Sequence, residues 1–311
     1  MGPSYSADIR DNDDLIVALF LASFQDRSPH TLRNYRLAIQ RFRAFLYPKR
    51  LKDAAWLDIE RFKNYLLGDY NGTGKRLSPA SAAVQLASIR SLYRWASDPN
   101  IMLLPRNPTT SVRLPKVQIT SRNRYLTKKE LAQLLTELSR QGLRNYLLGL
   151  MLALTGLRVS ELINVRWGDF YEDINGEAVW LQIRAGKGGK SRDVKIPDAL
   201  WKLVRKYRQK LKGPQAEKES LLFPITSRQV ARILENARQN CGLAKEATAH
   251  WLRHTNATLA LLGGASLQQV QENLGHAQIT TTQRYLHTVE QMNKMAPDYV
   301  ADSLVGLLEE E

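Results

Sequence analysis

The chain has 311 residues, 43% of them hydrophobic, which is enough for two domains with cores of their own. Its 45 Lys and Arg against 30 Asp and Glu give a net charge of +15, which argues for a polyanion as partner. Cys241 is the only cysteine, so an intrachain disulfide and a cysteine-based zinc site are both excluded. Residues 1–118 carry 18 basic against 10 acidic side chains, and residues 119–311 carry 27 against 20. Both halves are basic, as expected if both hold the polyanion. The polar, acidic start lacks a signal-peptide pattern, and the longest apolar stretch, residues 146–154, is too short to span a bilayer. A soluble, intracellular protein that does not enter membranes is expected.

The first half reads as helices. Asp13 and Asp14 are candidate caps for a helix carrying Leu15, Ile16, Leu19 and Phe20. Ser28-Pro29 pairs an N-cap with a proline at the first helical position. After it, Leu32, Tyr35, Ile39, Phe42 and Leu46 recur at three- and four-residue steps, forming one apolar face. Arg33, Arg36, Arg41 and Arg43 lie off that stripe. Ser78-Pro79 repeats the start signal for a helix with Val84, Leu86, Ile89, Leu92 and Tyr93, leaving Arg90 and Arg94 free of it. A small four-helix domain over residues 12–104, with basic outer faces, is expected after a tail at 1–11.

Pro105, Pro108 and Pro115 punctuate a polar stretch that ends in basic, non-periodic sequence, so residues 105–126 read as a linker. Thr127 and Glu130 form a capping box that opens a second, mainly helical domain over residues 127–295. Within it, residues 178–184 and 193–197 alternate as strands, and residues 185–191 make a glycine-rich hairpin tip with Lys187 and Lys190. The Gly-Lys-Gly-Gly-Lys run lacks the spacing of a phosphate-binding P-loop and does not open a helix. Residues 296–311 read as a final helix with Val300, Leu304, Leu307 and Leu308 on one face.

Several residues of the second domain carry chemistry. Arg158 follows Gly156, a helix-ending glycine, and Glu161 lies three residues on, placed to hold its guanidinium. His250 and Arg253 share one helical face, with Trp251 and Leu252 toward the core. His276 follows Gly275 at a helix corner. Thr280, Thr281 and Thr282 suit a cap for the helix that carries Tyr285. Taken singly, each is more often ordinary: a surface ion pair, a core histidine, a packing tyrosine, a solvated lysine.

Taken jointly, they resemble one family in order, spacing and flanking sequence. Thr-Gly-Leu-Arg-Val-Ser-Glu-Leu at 155–162, the Gly-Lys-Gly hairpin, His-x-Leu-Arg-His at 250–254, Leu-Gly-His at 274–276 and Thr-x-x-Tyr at 282–285 are similar to those of the tyrosine recombinases, or phage integrases, and look closest to the simple Xer-like members. The resemblance spans roughly residues 12–295. It implies a helical, SAM-like core-binding domain and a mostly α, mixed α/β catalytic domain with a small hairpin or sheet.

The resemblance also implies site-specific recombination through a 3′-phosphotyrosyl link and a Holliday junction. In this reading Tyr285 attacks, while Arg158, Arg253 and His276 hold the phosphate. Lys187 protonates the leaving oxygen, His250 is the base or positioning group for the tyrosine, and Glu161 supports Arg158. No cofactor and no metal are expected, because paired arginines supply the charge a metal would. The partners implied are double-stranded DNA with inverted-repeat half-sites and further copies of the chain, a dimer per site and a tetramer per synapse. Arg33, Arg36, Arg43, Arg90, Arg94, Lys190 and Arg192 are candidate DNA contacts. The final helix is expected to dock on a neighbouring protomer, with docking on its own domain as the other possibility. A cytoplasmic, nucleoid-associated location follows. The competing readings are a type IB topoisomerase-like relaxing enzyme and an architectural DNA-binding factor that does not cut.

Overall fold

A computed structural model of the chain describes residues 12–68, 76–116, 124–184, 191–211, 213–276 and 278–290. The expected N-terminal tail, the hairpin tip with Lys187 and Lys190, and the C-terminal docking helix lie outside the described residues. The chain divides into two compact units, with the boundary between residues 118 and 119. Among the described residues no helix is long and apolar enough to cross a membrane.

The first unit is built from α1 (Asp13–Ala22), α2 (Pro29–Leu46), α3 (Trp56–Leu67) and α4 (Pro79–Ala96). Ser28 and Ser78 cap α2 and α4 by accepting the backbone N–H of Thr31 and Ser81, each at 3.2 Å, with proline at the next position. At α1 the cap is Asn12 rather than Asp13 or Asp14. Its side chain accepts the Leu15 N–H at 3.1 Å, and the two aspartates sit in the first turn. The core is aromatic: Phe20, Phe42, Phe62 and Tyr93 are buried, and the Phe42 and Phe62 rings lie 5.0 Å apart. Leu15, Leu19 and Val84, named among the apolar residues of α1 and α4, are exposed. Leu103, Leu104 and Val112 belong to this core, so the stretch expected to begin a linker at 105 stays packed on the first unit as far as Val112.

The second unit follows as α5 (Lys128–Arg140), α6 (Leu143–Thr155), α7 (Val159–Leu162), β1 (Phe170–Glu172), β2 (Val179–Ile183), β3 (Arg192–Ile196), α8 (Asp198–Gln209), α9 (Ser227–Asn240), α10 (Ala249–Leu262), α11 (Leu267–Leu274) and α12 (Ile279–Glu290). The capping box at Thr127 forms as expected: Glu130 Oε2 accepts the Thr127 N–H at 2.7 Å, and Thr127 Oγ1 accepts the Glu130 N–H at 3.3 Å. The strands make one antiparallel sheet in the order β1-β2-β3, with Leu181 opposite Val194. Alternate residues Val179, Leu181, Ile183, Val194 and Ile196 enter the core, as a half-buried sheet requires. Leu134, Leu138, Leu148, Leu152, Val204, Leu234 and Leu252 complete that core from the helices.

Candidate active site

The ends of α6 and α11 meet the starts of α7 and α12, and each junction is a glycine in the left-handed region. Gly156 ends α6 at φ 65°, and a Cβ there would lie 2.6 Å from Asn256 Oδ1. The turn makes Arg158 the residue before α7. Its backbone N–H donates to Glu161 Oε2 and its Nη1 to Glu161 Oε1, both at 2.8 Å. Nη2 reaches the Gly275 carbonyl at 3.4 Å. The carboxylate expected to hold this guanidinium therefore does so.

Glu161 is almost fully buried, yet it stays ionised. Burial alone would raise its pKa, but the hydrogen bonds from Arg192 and from the Arg158 N–H bring it down to about 2. Arg253 is buried on α10. Its Nη1 donates to the Gly156 carbonyl at 2.6 Å and its Nη2 to the Leu274 carbonyl at 2.5 Å. It thereby satisfies the terminal carbonyls of α6 and α11, the negative ends of both helix dipoles. Burial, and then repulsion by Arg158, lower its pKa to about 10, which leaves it charged at neutral pH. Two guanidiniums thus converge on the consecutive carbonyls of Leu274 and Gly275.

His276 follows that corner. Its Nδ1 lies 2.9 Å from Thr282 Oγ1, and its ring stacks at 8° on Tyr285 with centroids 6.4 Å apart. Tyr285 is 7% exposed and packs with Ala257, Val270 and Leu274. The His254 ring stands edge-on to Tyr285 at 5.2 Å, and His254 Nε2 is 2.8 Å from His250 Nε2. Burial and the nearby arginines hold all three histidines below their ordinary pKa, His254 and His276 at about 4. They are neutral at pH 7, so the bond between His250 and His254 has one ring donating and the other accepting. Among the described residues, no three or more His, Cys, Asp or Glu gather where they could hold a metal ion.

Arg158, Glu161, His250, Arg253, His276 and Tyr285 are therefore assembled in one place, whereas Lys187 and Lys190 lie outside the described residues. The threonine triplet differs from expectation. Helix α12 already begins at Ile279, so the three lie inside it, and fully buried Thr282 is a partner of His276 instead of a cap. Of the arginines expected at DNA, Arg33, Arg36 and Arg94 are exposed. Three others are engaged within the protein. Arg43 pairs with Asp14 at 2.6 Å, Arg90 donates to the Thr109 and Val112 carbonyls, and Arg192 is bound to Glu161. His254 closes the His-x-Leu-Arg-His motif without a role expected of it, and its i, i+4 spacing from His250 puts both on one helical face.

This arrangement sets a buried tyrosine beside neutral imidazoles and two fixed guanidiniums. The phage integrase family model matches residues 124–292, and the model of the phage integrase N-terminal SAM-like domain matches residues 18–99. The chain belongs to the phage integrase family. It is 32% identical over 275 residues to a tyrosine recombinase of Pseudothermotoga lettingae, covering 88% of this chain and 92% of the relative. It is 30% identical to the tyrosine recombinase XerC of Halalkalibacterium halodurans, covering 90% and 94%. In fold it is similar to lambda integrase in the crystal structure of a tetramer bound to a Holliday junction, with TM-score 0.66, 23% identity and coverage of 87% and 76%. As a phage integrase, the chain is mainly helical with one small sheet, and its sequence relatives are tyrosine recombinases.

Proposed function

We propose that this chain is a site-specific DNA recombinase that breaks and rejoins DNA through a covalent link to Tyr285. The observation that carries this reading is the contact of Tyr285 with both His254 and His276, in the corner that holds the Arg158 and Arg253 guanidiniums. Phosphodiester cleavage builds charge on the non-bridging oxygens. Planar guanidinium forks held in advance stabilise that charge without reorganising. Arg253 has two of its five N–H groups on carbonyls, and in this reading the remaining ones serve the phosphate together with Arg158 and His276.

The tyrosine oxygen attacks phosphorus and the bond to the 5′ oxygen breaks, leaving a 3′-phosphotyrosyl link and a 5′-hydroxyl. His250, neutral and paired with His254, accepts or positions the tyrosine proton, and Lys187 protonates the departing oxygen. Attack by the 5′-hydroxyl of a partner duplex reverses the step and exchanges strands. The working assembly is a dimer on inverted half-sites and a tetramer on two duplexes. The likeness to a lambda integrase tetramer on a Holliday junction supports this assembly, which acts on DNA in the cytoplasm at the nucleoid.

The test begins with DNA crosslinked to the protein in cells, sequenced to find the site. A nicked suicide duplex of that site should then trap a covalent adduct with the wild type. Tyr285→Phe removes only the hydroxyl, so it should fold, bind and form no adduct. Adduct formed by the Phe variant would remove Tyr285 from the role.

A further inference from the structure

Arg192 is the first residue of β3, and its charge would ordinarily be read as a DNA contact. Its side chain is only 11% exposed, against 31% for Arg158. All three of its nitrogens are engaged inside the protein. Nη1 and Nη2 take the two oxygens of Glu161 at 2.9 and 2.8 Å, and Nε donates to the Asn273 carbonyl at 2.8 Å. The guanidinium also lies against the backbone of the α11 corner. A Cβ on Gly275 would fall 2.9 Å from Arg192 Cδ and 3.0 Å from Nη1. Gly275 therefore serves its left-handed turn and leaves room for this side chain.

We infer that Arg192 is a positioning residue, which fixes Glu161, and through it the Arg158 guanidinium, against the turn that presents His276. The inference rests on the recombinase reading, in which Arg158 holds the scissile phosphate. Without Arg192, Glu161 would hold Arg158 through a pair three residues apart, an arrangement that by itself orients little. With Arg192, the carboxylate is gripped side-on by a fork that is itself tied to Asn273, two residues before Gly275. One side chain thereby joins the sheet, the start of α7 and the end of α11. Lysine places its donors on a single nitrogen, so it cannot span the carboxylate side-on and also reach the separate Asn273 carbonyl as three guanidinium nitrogens do.

The test uses the full chain on the suicide duplex, in single turnover at saturating protein. Arg192→Lys should slow adduct formation roughly 10- to 100-fold, the range seen when a group that orients another is removed. Half-site affinity and its salt dependence should stay unchanged, because no phosphate contact is lost. In an Arg158→Lys background the same substitution should slow the reaction far less than it does alone, since the group it positions is already gone. Each variant is assayed at a temperature where circular dichroism shows it folded, and Arg192→Gln repeats the cycle should the lysine variant melt too low.

A wild-type rate for Arg192→Lys overturns the inference. So does weaker binding with a shallower salt slope and a normal saturated rate, which marks a phosphate contact. Equal losses in both backgrounds overturn it as well, since they mark general damage to the fold. Failure of the recombinase reading is seen separately, on the wild type alone, as absence of any tyrosine-linked adduct.

Discussion

The two units bury polar groups for different ends. In the first, buried Asp58 accepts the Ala55 N–H at 2.9 Å and the Lys49 ammonium at 2.9 Å, closing the start of α3. Its buried Tyr93 hydroxyl donates to the Leu51 carbonyl at 2.9 Å. These bonds hold helices in place around an aromatic core. In the second unit, Glu161, Arg253 and Thr282 are buried at one corner, and Arg192 is nearly so. Taking such charges from water opposes folding, and a well-packed apolar set is often as stable. Buried ions that gather where two helix ends and the candidate nucleophile meet are explained by a fixed electrostatic surface. Fold stability alone does not call for them.

The strongest way to break this contrast is to remove one residue from each unit. Phe62→Ala should destabilise the first unit by about 3–5 kcal/mol through the cavity it leaves. Glu161→Ala should destabilise the second by roughly 3–5 kcal/mol, because two arginines lose their carboxylate. Calorimetry reads both losses. Only Glu161→Ala should also slow cleavage at saturating DNA below the melting temperature. Equal slowing by Phe62→Ala would show that the contrast is false.

Acid should sharpen it. The folded pKa of His254 and His276 is depressed to about 4 from 6.5, so the unfolded chain takes up the extra protons between those values and stability falls as pH drops through that window. Glu161 is depressed to about 2 from 4.5, and its contribution, on the order of 3 kcal/mol, is present above 4.5 and lost as pH falls toward 2. The second unit should therefore weaken steadily below pH 6.5. The first, where burial is outweighed by bonds from the Ala55 N–H and Lys49 that lower the pKa of Asp58, should weaken only at the acid end of the range. Melting curves resolved by unit between pH 7 and 3 check this, and equal acid sensitivity would contradict it.

The smallest effect is local. Ser78→Ala removes the cap of α4 and should cost about 1 kcal/mol, with no change in the cleavage rate. Urea midpoints and adduct formation together test that separation.

What the sequence could show depends on the range of each interaction. Ser28-Pro29, Ser78-Pro79 and the Thr127 box act within three residues and read correctly, as did Gly156 and the Arg158–Glu161 pair. Asn12, Asp13 and Asp14 are all good caps, so local chemistry could not choose among them. Strand β1 has three residues, too few to show alternation. Leu15, Leu19 and Val84 fit a helical period, but periodicity does not say how wide the covered stripe is. The partners of Arg192 were hidden because its carboxylate lies 31 residues away, and composition counts a charge without saying whether it faces water. The partnership of Thr282 with His276 was hidden for a similar reason: a threonine near a helix start reads as a cap until the start is located.

That last contact also bears on how the site is held. Thr282 and Tyr285 stand three apart on one face of α12, so one helix carries the candidate nucleophile and the partner of His276. If α12 leaves its seat, both go together. The position of the candidate nucleophile and the orientation of His276 are thus tied to the seating of one helix.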